Sequence, residues 1–221
     1  MSLIERQASD AIRLLHVDDN LDFAEMATTF LERENDRFNT ETVANASEGL
    51  NRLADSAFDC VISDYDMPSQ NGIEFLETVR EDYPELPFIL YTGKGSEEVA
   101  SDAFSAGATD YMRKQSGTDH FSVLAERIKT LVERARAERQ RQQLVEAIET
   151  AREGIGIIDS DGYHTAVNQA YADTYGTRPS ELAGKHWMEL YPENEAEYMR
   201  SEVLPTVDEV GYWRGRTTGL R

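Results

Sequence analysis

The chain has 221 residues, enough for more than one small domain, and a formal net charge of −20 at pH 7. Such a negative field excludes attraction to nucleic acid or anionic lipid through net charge. The single cysteine, Cys60, excludes an internal disulfide and is typical of a reducing compartment. Because no segment approaches roughly 18 consecutive apolar residues and the N-terminus lacks a signal-peptide apolar region, we expect a cytoplasmic protein with no membrane partner.

The acidic surface is also poor in lysine, since only four of the 22 basic residues are lysine. Such a surface suits a cytoplasm of high salt concentration, where screening relieves the repulsion between like charges. We therefore expect a halophilic protein, and the alternative is an ordinary acidic one.

The first half of the chain alternates short apolar runs with segments of helical periodicity. The apolar runs have the length of buried strands and cover residues 12–17, 40–43, 58–63, 88–92 and 109–112. Helical patterns start near Leu21, Ser47 and Ile73, and after Ser96 as N-cap. Five βα units in this order predict a doubly wound parallel sheet with helices on both faces.

Chemically suited side chains fall at the ends of four of these strands. Asp18 and Asp19 follow the first strand, Asp64 the third and Lys114 the fifth, and Thr92 ends the fourth. The carboxyl ends of parallel strands meet at one edge of the sheet, where open α/β folds bind ligands. Three carboxylates, a hydroxyl and an ammonium in one pocket suit a hard divalent cation and a phosphoryl group.

Residues 121–152 predict one long helix. Its apolar positions recur at alternating four- and three-residue steps and are Leu124, Ile128, Leu131 and Ala135, then Leu144, Ile148 and Ala151. A polar run at 138–143 separates the two halves. A helix this long exceeds what one small domain covers, so we expect part of it to project. It either pairs with a second copy as a homodimer or forms a solvated monomeric spacer.

The residues from Gly154 onward predict a small α+β module. Residues 155–157 alternate as a strand, Asp161-Gly162 is a hairpin turn signal, and residues 163–167 return as a second strand. Short helices are expected near 170–175 and 179–182, and another strand at 211–215.

The first module resembles the receiver domain of bacterial and archaeal two-component response regulators over about residues 10–130. The matching residues are Asp18-Asp19, Asp64, Met67-Pro68, Gly72, Thr92, the run 107–111 and Lys114. The resemblance implies a flavodoxin-like sheet of five parallel strands. The chain departs from the family at Gln115, where a proline usually follows the lysine.

The resemblance also implies a role for each acidic residue. Asp64 is the expected nucleophile, which takes a phosphoryl group from a histidine kinase. Asp19 and Asp64 are expected to bind Mg²⁺ directly, together with the main-chain carbonyl of Asp66, and Asp18 through water.

Three further roles follow from the same resemblance. Lys114 is expected to offset the phosphoryl charge, Thr92 to donate to a phosphoryl oxygen, and Tyr111 to swing inward when Thr92 moves. Asp66 and Lys94 are expected to flank the path of the water that attacks the acyl phosphate.

The second module resembles the start of a PAS sensor domain. The matching stretches are residues 154–159, 161–162, 167–170, 182–185 and 211–215. Because the PAS family needs about two more strands than are present, we expect a partial PAS domain at 153–221, preceded by a signalling helix at 121–152. No cofactor is expected here, because His164 and His186 do not lie on the helix that carries the haem ligand in haem-binding relatives.

The leading hypothesis is phosphorelay signalling, in which the receiver acts through the helix on the PAS module of a larger sensory kinase or regulator. No separate catalytic domain is expected beyond phosphorylation and dephosphorylation of the receiver itself. The runner-up is a Mg²⁺-dependent phosphatase of haloacid-dehalogenase type, since Asp64-Tyr65-Asp66 has its D-x-D form. That family places the motif after its first strand. A third hypothesis is a binding module with a non-functional receiver.

Overall fold

The structure, a computed structural model, describes residues 11–93 and 96–221. The chain divides into two compact units, residues 1–139 and 140–221. We refer to them as the first and second units. Among the described residues, no helix is long and apolar enough to cross a membrane.

The first unit contains a sheet of five parallel strands, as the sequence predicts. The strands are β1 (Ile12–Val17), β2 (Phe38–Val43), β3 (Cys60–Ser63), β4 (Phe88–Thr92) and β5 (Asp110–Arg113). They lie in the order β2-β1-β3-β4-β5, and every neighbouring pair is parallel. Strand β2 begins two residues before its predicted start, and β3 two residues after.

Five helices connect or follow these strands. They are α1 (Leu21–Glu34), α2 (Ala46–Asp55), α3 (Gly72–Asp82), α4 (Glu97–Ser105) and α5 (Asp119–Glu149). Helix α2 begins one residue before the predicted Ser47, because the Asn45 side chain accepts a hydrogen bond from the main-chain N–H of Glu48. Ser96 caps α4 as predicted, accepting from Val99.

Both faces of the sheet are covered by apolar side chains. In β1, Ile12 and Leu14 belong to the cluster under α1 and α5, while Leu15 and Val17 belong to the cluster under α2, α3 and α4. All the side chains of β3 and β4 are buried, as expected for central parallel strands. This doubly wound arrangement fixes the strand ends that form the site.

Helix α5 has two halves of different exposure. Leu124 and Ile128, from the first half of the predicted seam, are fully buried against the sheet of the first unit. Leu144, from the second half, is 59% exposed. Leu124 and Ile128 therefore pack within their own unit and are not available for pairing with another chain.

The second unit is a small α+β module. Strands β6 (Gly156–Ile158) and β7 (His164–Val167) form an antiparallel pair, and Gly162 adopts φ +88° in the predicted turn. The remaining elements are α6 (Gln169–Thr174), α7 (Pro179–Leu182), a 3₁₀ helix (Trp187–Leu190), α8 (Glu193–Tyr198), a π-helix (Met199–Val203) and α9 (Leu204–Val210).

The strand predicted at 211–215 is wrong. Residues 212–221 form neither helix nor strand, and Gly211 ends α9 with φ +87°. Aromatic residues favour strands only where a neighbouring strand offers hydrogen bonds, and the described second unit pairs only β6 with β7. The Trp213 ring packs instead against Tyr198, with ring centroids 6.4 Å apart.

Candidate functional site

The predicted site residues Asp18, Asp19, Asp64, Thr92 and Lys114 lie at or just after the carboxyl ends of β1, β3, β4 and β5. Val17 pairs with Ser63 across β1 and β3, so the residues that follow them, Asp18 and Asp64, emerge side by side. Oxygen atoms of Asp18, Asp19 and Asp64 lie within 4.8 Å of one another. The structure thus brings together the three predicted carboxylates.

The carboxylate of Asp64 is held from two sides. Its Oδ1 accepts a hydrogen bond from the Tyr65 main-chain N–H at 2.7 Å, and its Oδ2 accepts from Nζ of Lys114 at 2.9 Å. The Asp64 main-chain N–H donates to the Val17 carbonyl at 2.8 Å. The side chain is fixed by this frame yet retains a small exposed area, since the residue is 8% exposed.

Lys114 joins two carboxylates. Its Nζ lies 2.7 Å from Oδ2 of Asp18 and 2.9 Å from Oδ2 of Asp64. The ammonium also lies 4.5 Å from the ring centroid of Phe23. Its main-chain N–H donates to the Thr92 carbonyl at 2.9 Å, which ties the end of β5 to the end of β4. The peptide bond between Lys114 and Gln115, where the family usually has a proline, is trans.

Asp18 and Asp19 differ in environment although they are adjacent. Asp18 is fully buried and Asp19 is exposed. Burial raises the pKa of Asp18, and the hydrogen bond from Lys114 opposes that rise. Oδ1 of Asp18 also accepts from the Asn20 main-chain N–H at 3.0 Å. Asp19 is therefore the carboxylate that solvent reaches, and Asp18 the one that the protein fixes.

The other predicted residues lie around this group. Thr92 is fully buried, and Asp66 is exposed and does not join the three clustered carboxylates. Tyr111 is half-buried beside the α2–α4 cluster, and its hydroxyl has no hydrogen-bond partner among the described residues. Lys94, the predicted companion of Asp66, lies outside the described residues.

The donor set fits a hard divalent cation. Mg²⁺ prefers carboxylate oxygens and keeps several waters, and the cluster offers the exposed Asp19 beside the nearly buried Asp64. Lys114 is the cation that now compensates the two buried members of the cluster.

Sequence reasoning missed His16 as a site residue. The side chain is fully buried, and its Nε2 lies 3.7 Å from Oδ2 of Asp18. Burial lowers the pKa of His16 to about 3, so the imidazole is neutral. The available signal was a polar residue within the apolar strand β1, two positions before Asp18 and so on the same face of the strand.

The histidines of the second unit have structural partners. Nδ1 of His164 lies 2.9 Å from the Lys185 carbonyl, and its Nε2 lies 3.2 Å from the Tyr171 hydroxyl. Nδ1 of His186 accepts from the Met188 main-chain N–H at 3.2 Å.

Two family profiles match the chain. Residues 14–128 match the response regulator receiver domain, and residues 148–204 match the PAS fold. The first match covers just over half of the chain and contains the site residues described above.

Individual relatives agree with the first match. The C4-dicarboxylate transport transcriptional regulatory protein DctD of Rhizobium meliloti is 31% identical over 64% of this chain and 30% of DctD. A CheY-like response regulator receiver domain protein from Methanospirillum hungatei is 29% identical with a TM-score of 0.53, over 58% of this chain and 98% of that one. NtrX from Brucella abortus is 27% identical with a TM-score of 0.54, over 64% of this chain and 32% of that one.

Proposed function

The chain belongs to the family of response regulator receiver domains, and we propose that it acts in a phosphorelay by accepting a phosphoryl group on Asp64 from a histidine kinase. The observation that carries this proposal is the Asp64 carboxylate held against Lys114 and beside the other two aspartates. The phosphorylated state is then relayed through α5 to the PAS module.

The reaction balances with groups that the site holds. A carboxylate oxygen of Asp64 attacks phosphorus, the P–N bond of the phosphohistidine breaks, and its electron pair returns to the imidazole nitrogen of the kinase. Lys114 donates to the new phosphoryl oxygens, and Thr92 supplies a hydroxyl hydrogen bond. Water later attacks phosphorus, releases inorganic phosphate and restores the carboxylate.

Mg²⁺ is the proposed metal of this site. Asp19, Asp64 and the Asp66 main-chain carbonyl would hold it, with Asp18 acting through water. Bound there, it would neutralise negative charge on the phosphoryl oxygens.

The proposed domain boundaries are a receiver domain at 10–130, a signalling helix at 121–152 whose start is the last receiver helix, and part of a PAS domain at 153–221. The chain spans less than two thirds of the length of the curated relatives it matches, 30% in the case of DctD. Its place in a larger sensory kinase or regulator is therefore also part of the proposal.

The proposed homodimer uses the second half of α5. Leu144 and Val145 are 59% and 49% exposed, whereas the first half of the seam is covered by its own sheet. Exposed leucine and valine on a long helix favour pairing with the same segment of a second copy.

The phosphatase alternative finds no support in the comparisons, whose matches are to response regulators and the PAS fold. The second aspartate of its motif, Asp66, is also exposed and outside the carboxylate cluster.

The halophilic origin is proposed from the net charge of −20. Screening of that charge predicts that the urea midpoint of unfolding rises between low and molar KCl. A midpoint that stays constant would contradict a halophilic origin.

Phosphorylation is tested by incubating the protein with Mg²⁺ and acetyl phosphate and measuring its intact mass. One added phosphoryl group is expected in the wild type and in the control Asp82→Asn, and none in Asp64→Asn or without Mg²⁺. A label that persists in Asp64→Asn would reject the assignment. Sustained turnover of p-nitrophenyl phosphate would instead support the phosphatase.

A further inference from the structure

We propose that His16 is a positioning residue, which donates a hydrogen bond from Nε2 to Oδ2 of Asp18 when Lys114 turns to the phosphorylated Asp64. The proposal rests on the proposed function, because it concerns the phosphorylated state of the same site. In this role, His16 in β1 holds the buried Asp18 in place while Lys114 binds the phosphoryl group.

The first observation is that the His16 imidazole lacks hydrogen bonds. The side chain is fully buried, and neither ring nitrogen has a hydrogen-bond partner among the described residues. A buried polar group left without a partner has a cost in stability. An apolar residue at this position would avoid that cost. The presence of an imidazole is therefore explained by a second state of the site, in which the ring is hydrogen-bonded.

The second observation is the distance from His16 to Asp18. Nε2 of His16 lies 3.7 Å from the same oxygen, Oδ2, that Lys114 approaches to 2.7 Å. A closure of about 0.8 Å would bring the imidazole to the usual N–H···O distance of about 2.9 Å.

The charges around the site give the reason for the exchange. Lys114 is now shared between Asp18 and Asp64. A phosphoryl group on Asp64 carries roughly two negative charges, so it attracts the ammonium more strongly than Asp18 does. Oδ2 of Asp18 is buried and then loses its strongest donor. His16, whose Nε2 lies 3.7 Å from that oxygen, is a side chain that can replace it.

The groups that surround the ring permit this role. Besides Asp18, the charges of Lys114 and Asp64 act on the imidazole. The Ala24 main chain in α1 also acts on it, more weakly, through a contact that falls outside normal hydrogen-bond geometry. An imidazole that carries a proton on Nε2 can donate that N–H to Asp18.

The test measures beryllofluoride binding in the presence of Mg²⁺, with beryllofluoride as the phosphoryl mimic. His16→Leu is expected to bind it about tenfold more weakly, the loss of one hydrogen bond to a charged group. His16→Gln keeps an N–H donor and is expected to stay within about threefold of the wild type. Mg²⁺ affinity without beryllofluoride should change less than twofold in both variants.

His120→Leu is the matched control. His120 is also buried with both ring nitrogens unpartnered, but its recorded ring contacts are with Tyr91 and Phe121. Its removal should leave beryllofluoride affinity unchanged, which separates the positioning of Asp18 from the general effect of replacing a buried imidazole by leucine.

A spectroscopic measurement keeps the proposal testable if His16→Leu fails to fold. The chain has four histidines, so imidazole ¹⁵N–¹H spectra are simple to assign with His16→Gln. The beryllofluoride complex should show His16 protonated on Nε2. A His16 that carries its proton on Nδ1 in the complex, or equal affinities for His16→Leu and wild type, would overturn the proposal. If wild-type Asp64 gains no phosphoryl group from acetyl phosphate, the proposed function is overturned as well.

Discussion

Nζ of Lys114 donates a hydrogen bond to Oδ2 of Asp64 at 2.9 Å. The contact places the cation against the expected nucleophile before any phosphoryl group arrives. Because the same ammonium also holds the buried Asp18, Lys114 stabilises the fold as well as serving the proposed chemistry.

Replacement of Lys114 by methionine is expected to destabilise the first unit. Asp18 and Asp64 would then be buried carboxylates without their cation, and breaking a buried pair costs roughly 3–5 kcal/mol. Mg²⁺ should restore part of the lost stability, because it would neutralise the clustered carboxylates in place of the ammonium.

The measurement is urea unfolding followed by far-ultraviolet circular dichroism, with and without Mg²⁺. Lys129→Met is the control, because Lys129 forms only an exposed pair with Glu126 and should change stability by less than about 1 kcal/mol. Equal losses of unfolding free energy in Lys114→Met and Lys129→Met would show that the buried ion pairs of Lys114 do not stabilise the first unit.

The sheet and the position of the site could be predicted from the sequence. Strand ends were marked by the change from apolar residues to Asp18 and Asp64, and parallel pairing places such ends at one edge. The structure places these two strand ends side by side, since Val17 lies opposite Ser63. The 3.7 Å approach of His16 to Asp18 could not be predicted, because it depends on side-chain conformation.

The two halves of α5 show where pattern reasoning fails. Leu124 and Ile128 have the same spacing as Leu144 and Ile148, yet only the first pair is covered by the sheet of the first unit. Periodicity identifies an apolar face but not the surface that covers it. The strand predicted at 211–215 failed for a related reason, since strand propensity does not supply a pairing partner.

Gly72 lies so close to the main chain of Asp64 that an alanine at this position is expected to disturb Asp64. A Cβ added at Gly72 would lie 2.2 Å from the Asp64 carbonyl oxygen, which is main chain and cannot move independently. We expect Gly72→Ala to lose at least about 2 kcal/mol of stability and to slow the labelling of Asp64 by acetyl phosphate. Both are measured, by urea unfolding and by intact mass over time.

Gly49→Ala is the matched control, because its added Cβ would meet the buried Phe75 ring at 2.9 Å and has no atom of Asp64 among its three nearest neighbours. Its labelling rate should stay close to that of the wild type. Equal labelling rates in the two variants would contradict the close approach at Gly72.

Cys60 is expected to react with thiol reagents only after the sheet opens. The thiol is fully buried in β3, and burial raises its pKa, so the folded protein holds it protonated even in alkaline buffer. Labelling by dithiobis-nitrobenzoate at pH 8 should be at least about 1,000-fold slower in the folded than in the urea-unfolded protein.

The control is Ser105→Cys in a Cys60→Ala background. Its thiol lies at an exposed position and should react in the folded protein as fast as in the unfolded one. Comparable rates for Cys60 and for that surface thiol would contradict the burial.

Asn168 is expected to be the main polar support of the second unit. Its Oδ1 accepts from the main-chain N–H groups of Ile155 and Tyr171, and its Nδ2 donates to the carbonyls of Ile148 and Glu153. Asn168→Ala should cost roughly 3 kcal/mol, because four main-chain groups lose the fully buried side chain that pairs with them.

Tryptophan fluorescence measures this loss selectively, since both tryptophans, Trp187 and Trp213, lie in the second unit. The exposed neighbour Gln169 donates only to Asp173, and Gln169→Ala should leave the fluorescence midpoint nearly unchanged. If Asn168→Ala unfolds at the same urea concentration as Gln169→Ala, the network does not support the unit.

Leu144 is the residue on which the proposed homodimer depends most. In a symmetric pair the side chain is buried once from each copy, so Leu144→Asp should remove roughly 3 kcal/mol of association energy and weaken the dimer about 100-fold or more. Sedimentation in molar KCl, with and without beryllofluoride, measures this. Gln143→Asp adds the same charge at an exposed position next to the seam and should dimerise like the wild type.

Leu131→Asp is unsuited as a test, because Leu131 packs against the core of the first unit. A wild type that stays monomeric at tens of micromolar in both states would leave α5 as a solvated spacer and reject the dimer.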